Sequence, residues 1–310
     1  MINNEFLYQL FSKSTGLYTD TRKPLKGGIF LSLKGPSFNG NEYALKAIQA
    51  GCSYAIIDEK IYNTHQNTIL VDDVLVVLQE LAAYHRKKLN IPIIGITGTN
   101  GKTTSKELIN AVLNSEKTCY ATKGNLNNHI GVPLSILAIK EKHEIAIIEM
   151  GANHQKEIEF LCHIANPTYG VITNISSAHL EGFGNLQTVV NTKKELYEHI
   201  EKNNGKLFIN YDDNLLLGLA DSIPKITYGK NGDIKGVTKN NTPFIKVKYE
   251  ETTISSQLIG SFQFNNIMLA ICIGDYFNIS KKNIRASIEN YTPKNNRSEI
   301  IKTEKNTLIL

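Results

Sequence analysis

The stretch Ile93-Ile-Gly-Ile-Thr-Gly-Thr-Asn-Gly-Lys-Thr-Thr104 decides the fold. Ile93, Ile94, Ile96 and Thr97 are β-branched and read as a strand, the glycines that follow read as a tight turn, and a helix opens after them. Backbone N–H groups at such a turn and helix start point at an anion, and glycine lets the main chain approach it closely. Lys102 adds a point charge, and the Thr103 hydroxyl is of the type that ligates Mg²⁺. The strict GxxxxGK[ST] spacing fails, because Ile96 stands where its first glycine should be; Gly98, Gly101, Lys102 and Thr103 nevertheless keep the turn and the working side chains.

Working outward, the pattern downstream predicts a helix over 104–114, strands over 118–121 and 145–150, a helix over 155–165, a strand over 170–173, a helix over 186–201 and a strand over 206–210. Strands alternating with helices imply a mostly parallel sheet covered on both faces, with ligands at the carboxyl ends of the strands. Between 225 and 259 shorter strand-like pieces separated by Gly and Asn turns predict an antiparallel insert, followed by helices over 262–277 and 281–289. Upstream, strands over 29–33 and 54–58 and helices over 42–50 and 74–88 make a small domain that ends near Asn90, where Pro92 breaks the pattern. The expected class is α/β: a small N-terminal α/β domain, 1–90, then a mostly parallel-sheet P-loop ATPase domain with an antiparallel insert, 91–295, then the apolar run 307–310 at the chain's end within a segment 296–310.

Composition narrows the function. Hydrophobic residues at 41% and charged residues at 20% suit a soluble globular chain, and no apolar run approaches the roughly 20 residues that span a bilayer. Residues 1–10 lack a basic leader and a long apolar stretch, so a cytoplasmic location is expected. Cys52, Cys119, Cys162 and Cys272 form no CxxC pair, which argues against zinc and against a disulfide framework. The net charge of +5 is spread along the chain instead of gathered with aromatics, so an anionic small substrate fits better than nucleic acid.

Several side chains are candidates for chemistry. Glu149 ends the apolar run 145–148, which sets its carboxylate at the sheet edge beside the glycine loop, able to hold Mg²⁺ directly or through water or else to be merely solvated. His179 follows the strand end at 173–174; a lone histidine there is more often structural than a ligand. His154 reads as structural or supporting, and Lys193 and its neighbour Lys194 read alone as surface lysines. No Ser–His–Asp or Cys–His arrangement stands out.

The loop Thr97-Gly-Thr-Asn-Gly-Lys-Thr-Thr104 resembles the ATP-binding loop of the Mur ligases and of their relatives the folylpolyglutamate synthases. Gly124-Asn-Leu-Asn-Asn-His-Ile-Gly-Val-Pro133, Glu149-Met-Gly-Ala-Asn-His-Gln-Lys-Glu157 and Ala178-His-Leu-Glu-Gly-Phe-Gly184 resemble the MurF-type branch, which joins D-alanyl-D-alanine to UDP-N-acetylmuramoyl-tripeptide. The similarity runs from Asp20-Thr-Arg22 to Arg297. It implies ATP on Gly98, Thr99, Asn100, Gly101, Lys102, Thr103 and Thr104, with Asn266 at the adenine and Arg297 at ribose or phosphate. It further implies two Mg²⁺ ions held by Thr103, Glu149, His179 and Lys193, the lysine carrying a carbamate formed with CO₂; the Lys-x-Glu-hydrophobic-aromatic pattern favours Lys193 over Lys194. Lys102, Glu149, His179 and Lys193 would then be the catalytic set. Asp20, Thr21, Arg22, Ser32 and Lys34 would receive the uridine diphosphate half of the substrate, and Asn125, Asn127 and Asn128 the muramoyl-peptide end.

A monomer without nucleic-acid or membrane partners is expected, and the resemblance implies a third domain of which 296–310 would be the start. The 310-residue chain is therefore expected to bind nucleotide and UDP substrate without completing the ligation. Two other readings stand beside it: a folylpolyglutamate synthase-like ligase, and a non-catalytic nucleotide-binding module.

Overall fold

The computed structural model describes residues 3–22, 26–176, 183–240 and 243–293, and the backbone of 300–302 and 307–309. These residues form two compact units. One is Met1–Asn90 with His129–Lys140 and His163–Asn166; the other is Ile91–Asn128 with Glu141–Cys162 and Pro167–Leu310.

The first unit opens with a helix the sequence reading did not anticipate, α1 (Asn4–Lys13), whose N-cap Asn3 accepts from the Glu5 N–H. Strands β1 (Leu17–Tyr18) and β2 (Ile29–Leu31) follow, then a small hairpin of β3 (Lys34–Gly35) and β4 (Phe38–Asn39), helix α2 (Ala44–Gln49), β5 (Tyr54–Ile57), β6 (Thr68–Leu70) and α3 (Val74–Lys88). β1, β2, β5 and β6 pair in parallel around a core of Phe30, Ala44, Ala47, Cys52, Ala55 and Ile57.

Helix α3 starts because the Asp73 carboxylate accepts from the N–H groups of Leu75 and Val76 at 2.7 and 3.0 Å, and it buries Val74, Leu78, Leu81, Ala82 and His85 along one stripe. Basic residues fill its last turn, where the helix dipole favours them. One of them is turned inward: the Arg86 guanidinium, 6% exposed, donates to the carbonyls of Ala165, Asn166 and Leu89 at 2.9–3.3 Å.

The second unit is built on a nine-stranded sheet. Its elements are β7 (Ile93–Thr97), α4 (Lys102–Leu113), β8 (Cys119–Ala121), α5 (Gly131–Leu137, which belongs to the first unit), β9 (Ile145–Glu149), α6 (Glu157–Ala165), β10 (Tyr169–Ile172), α7 (Leu186–Lys202), β11 (Lys206–Asn210), α8 (Asn214–Leu219), β12 (Lys225–Gly229), β13 (Ile234–Asn240), β14 (Phe244–Tyr249), β15 (Thr252–Ile259), α9 (Gln263–Tyr276) and α10 (Lys281–Asn290). The strand order is β15-β14-β13-β12-β11-β10-β7-β9-β8, and every pairing from β8 to β13 is parallel. β7 lies inside the sheet and all five of its residues are buried. Ile94 and Ile96 join the core that holds Leu108 and Ile109 of α4 and Ile267 and Ile271 of α9, while Gly95 between them faces Leu196 of α7. Helices therefore cover both faces, as the continuous apolar runs require.

The α/β class read from the sequence holds, and the antiparallel segment is present between β13, β14 and β15. Its place is a finding: β12 pairs parallel with β11, and β13 pairs parallel with β12 at Tyr228↔Ile234, so these strands extend the main sheet. Their inner face alternates with an outer one, Ile245, Val247 and Tyr249 buried against Lys246 and Lys248 outside. At the chain's end β16 (Ile300–Lys302) pairs antiparallel with β17 (Thr307–Ile309). No helix among the described residues is long and apolar enough to cross a membrane.

Replacing Arg86 tests how much that inward turn contributes. Arg86→Ala leaves three carbonyls without their donor and is expected to cost about 3 kcal/mol of unfolding free energy. Urea titration followed by circular dichroism measures it, and an unchanged midpoint would mean that water replaces the guanidinium at no loss.

Candidate functional site

β7 ends at Thr97, and the chain turns through Gly98 and Gly101 before α4 begins at Lys102. Gly98 has φ +142°, and a Cβ there would lie 2.1 Å from Thr173 Oγ1; Gly101 has φ +77° and is the N-cap of α4. No other residue occupies both conformations without strain, so the turn that bares the helix N-terminus depends on these two. A strap from the end of β10 fixes the loop. Thr99 N–H donates to the Asn174 carbonyl at 2.9 Å, Asn100 N–H to Asn174 Oδ1 at 3.1 Å, and the Thr173 hydroxyl to the Asn100 carbonyl at 2.6 Å. Ser176 N–H donates to Thr99 Oγ1 at 3.0 Å. Lys102 folds back, its ammonium donating to the carbonyls of Gly98 at 2.7 Å and Thr99 at 2.9 Å.

Glu149, at the end of β9, is 1% exposed and collects donors from three directions. The Thr103 hydroxyl lies 3.0 and 3.2 Å from its two oxygens, Asn127 Nδ2 donates to Oε1 at 3.0 Å, and the Lys106 ammonium stands 3.2 Å from Oε2. Its own N–H donates to Thr122 Oγ1 at 3.0 Å. This is the carboxylate the sequence placed beside the loop, and the structure brings it together with Thr103 and Asn127. Among the described residues no three His, Cys, Asp or Glu side chains gather as a metal cage. A carboxylate paired with a threonine hydroxyl at the mouth of a phosphate loop suits Mg²⁺, which takes few protein oxygens and shares itself with phosphates and water.

Helix α7 separates the two adjacent lysines. Lys194 is on its outer side, 3.3 Å from Glu198, whereas Lys193 is 3% exposed. Among the described residues the Lys193 ammonium has the Phe183 ring 5.7 Å from it and no carboxylate within ion-pair distance. Burial pulls it down to about 8, aided by the positive charge of Lys102 and opposed by Glu157 and Glu195. Glu195, on the same helix, accepts from the N–H groups of Lys156 and Glu159 at 2.8 and 2.9 Å and so caps the start of α6. Its burial raises its pKa. His154 is exposed and hydrogen-bonded to Glu157 at 3.1 Å, a structural role.

Asn266, 7% exposed, is spent inside the protein: it accepts from Ser105 Oγ at 3.0 Å and donates to Gln263 at 2.7 Å, close beneath Gly101. Asn125 and Asn128 are exposed, and Asn127 alone of the three meets Glu149. His179 and Arg297 lie outside the described residues.

In the first unit Arg22 closes on Asp20, with Nη2 2.7 Å from Oδ2, and both are exposed; Thr21 sits between them. Lys34 reaches Asp58 at 3.0 Å, and Ser32 is fully buried with no partner for its hydroxyl among the described residues. The sequence reading missed Lys106, Thr122, Thr173, Asn174 and Glu195. Thr173 and Asn174 carried a signal in their place at the end of a strand next to the loop, and Glu195 in the Lys-x-Glu pattern that marks Lys193.

The lysine offers a pH test. In the unfolded chain Lys193 regains the 10.5 of an exposed lysine, so between about 8 and 10.5 the unfolded state binds more protons and stability rises with pH. The cost of the buried charge is fully present below that window. In CO₂-free buffer Lys193→Met is therefore expected to be more stable than the parent at pH 7, by about 3 kcal/mol at most, with the gap closing as pH rises. Denaturant titrations across that range check it; an offset independent of pH would mean the ammonium is solvated.

Residues 96–274 match the family described as the Mur ligase middle domain. The UDP-N-acetylmuramoyl-tripeptide--D-alanyl-D-alanine ligase of Bacillus subtilis (strain 168) is 35% identical over 302 residues, 95% of this chain and 66% of the relative. The ligase of the same name from Haemophilus influenzae is 32% identical over 304 residues, 94% of this chain and 66% of the relative. The chain thus spans 66% of the length of these curated relatives. A crystal structure of MurF from Acinetobacter baumannii superposes with a TM-score of 0.86 at 26% identity, covering 99% of this chain and 72% of that one. The MurF ligase from Thermotoga maritima, solved with ADP, shares the fold with a TM-score of 0.81 at 24% identity, covering 97% and 71%. With more than half its length matched by the family's middle domain, which contains the glycine loop, Glu149 and Lys193, this chain belongs to the Mur ligase family.

Proposed function

We propose that this chain carries the ATP- and UDP-substrate-binding parts of a ligase that adds D-alanyl-D-alanine to UDP-N-acetylmuramoyl-tripeptide, a step in making peptidoglycan precursors. The observation that carries the reading is the buried Glu149 carboxylate joined to Thr103 of the phosphate loop on one side and Asn127 on the other. That arrangement supports a nucleotide's terminal phosphate and a carboxylate substrate meeting at one place.

The ATP γ-phosphoryl group passes to the terminal carboxylate oxygen of the tripeptide, giving an acyl phosphate and ADP. The D-alanyl-D-alanine amine then bonds to the acyl carbon, inorganic phosphate leaves, and the amine loses a proton. No side chain of the protein becomes bonded to the substrate. The loop N–H groups and the α4 N-terminus hold phosphate oxygens, and Lys102 exchanges its two loop carbonyls for them. Thr103 and Glu149 would hold Mg²⁺, which neutralises charge on the phosphoryl oxygens; His179 and a carbamate on Lys193 would hold a second ion. The buried, part-neutral amine of Lys193 suits reaction with CO₂. Asn266 and Arg297 would meet adenosine. Asp20, Thr21, Arg22, Ser32 and Lys34 would receive the uridine diphosphate, and Asn125, Asn127 and Asn128 the muramoyl peptide.

Titration calorimetry tests the reading. Saturable binding of UDP-muramoyl tripeptide in preference to the dipeptide form and to a folate supports it, and binding of folate alone would move the chain to a folylpolyglutamate synthase-like reading. Lys102→Ala is expected to weaken Mg·ATP binding about tenfold to a hundredfold, the loss of one or two charge-assisted hydrogen bonds; an unchanged affinity would count against a nucleotide at residues 97–104.

A further inference from the structure

Lys106 lies one turn beyond Lys102 on α4 and is 2% exposed, a burial that lysine seldom shows. Its ammonium has two partners, Glu149 Oε2 at 3.2 Å and the Gly124 carbonyl at 3.0 Å. Gly124 belongs to the loop 123–128, whose residues Lys123, Gly124, Asn125 and Leu126 are exposed. Three residues further on, Asn127 donates to the other oxygen of the same carboxylate, and its carbonyl accepts from Gly151 N–H at 2.8 Å. The loop is therefore tied twice to Glu149, from beneath through Lys106 and in front through Asn127. An apolar side chain would fill the space at 106 at less desolvation cost, so what the lysine adds is these two contacts.

We propose that Lys106 is a positioning residue that holds the loop 123–128 in register with Glu149, so that the asparagines facing the carboxylate substrate are set against the phosphate loop. The role at the loop stands on the geometry; its meaning for substrate rests on the functional reading above.

Hydrogen exchange and calorimetry test it on the full chain. Lys106→Met is expected to speed exchange of the 124–128 amides at least tenfold more than it speeds exchange of the amides of β9 and β10. UDP-muramoyl tripeptide should bind about tenfold more weakly and Mg·ATP within about threefold of the parent. Asn127→Ala, a change at the loop's partly exposed side, should speed the same amides, and the double variant should show less than the product of the two effects, because both act on one loop. Should Lys106→Met not fold, Asn127→Ala with Lys106→Gln, which keeps a donor without the charge, carries the comparison. Parent-like exchange at 124–128 in the Lys106 variants, or faster exchange spread evenly over β9 and α4, would overturn the proposal. The exchange arm uses no ligand, so a parent chain that ignores UDP-muramoyl tripeptide sinks the functional reading and leaves the positioning role standing.

Discussion

Everything at the site depends on keeping one carboxylate out of water. Glu149 closes a strand whose five residues are all buried, and its charge would be prohibitive there without compensation. Thr103, Asn127 and Lys106 provide it from two segments: Thr103 and Lys106 from the first turns of α4, and Asn127 from the loop 123–128. Removing one member of a buried pair of this kind typically costs about 3–5 kcal/mol, because the other is left uncompensated. The same requirement that stabilises Glu149 thus dictates where the phosphate loop, the sheet edge and the asparagine loop meet.

Lys193 answers to a different constraint. Among the described residues it has a ring beside it and no carboxylate in pairing distance, and after burial the largest influence on it is another cation, Lys102. Thr103, Asn127 and Lys106 compensate Glu149, whereas no residue among those described compensates Lys193 in the same way. The strap 173–176 holds the loop between them without contributing charge, through backbone groups, amides and hydroxyls alone.

What could be read beforehand follows from how local each cause is. The strand, turn and helix of 93–104 are written in consecutive residues, and the structure keeps β7 at the bounds the periodicity implied. Helix α3 was equally legible, with its apolar stripe and basic end. Helix α5 was not, because Gly131 and Pro133 read as breakers although proline is tolerated in a first turn. Lys106 and Lys193 looked like any surface lysines; their burial is decided by which face of α4 and α7 meets the sheet, and a rotation of one residue would have chosen Lys194. The hairpins after 225 could be inferred from their turns, but the parallel join of β12 to β11 and β13 to β12 is a tertiary pairing that no short stretch encodes. His179 and Arg297 rest on resemblance alone.

The strand order has a consequence for the history of each molecule. β7 leads into the glycine loop, yet its neighbours are β9 and β10, at 145–149 and 169–172, while β13 pairs with β14 and β14 with β15. Closing long loops is slow relative to closing short ones, and synthesis runs from the N-terminus. During translation β7 is made before either neighbour: one edge waits roughly fifty residues for β9 and the other roughly seventy for β10. The distal β-meander needs no such wait. β7 is thus the first strand of this unit to be made, yet it is set into the sheet only after β9 and β10 have followed it.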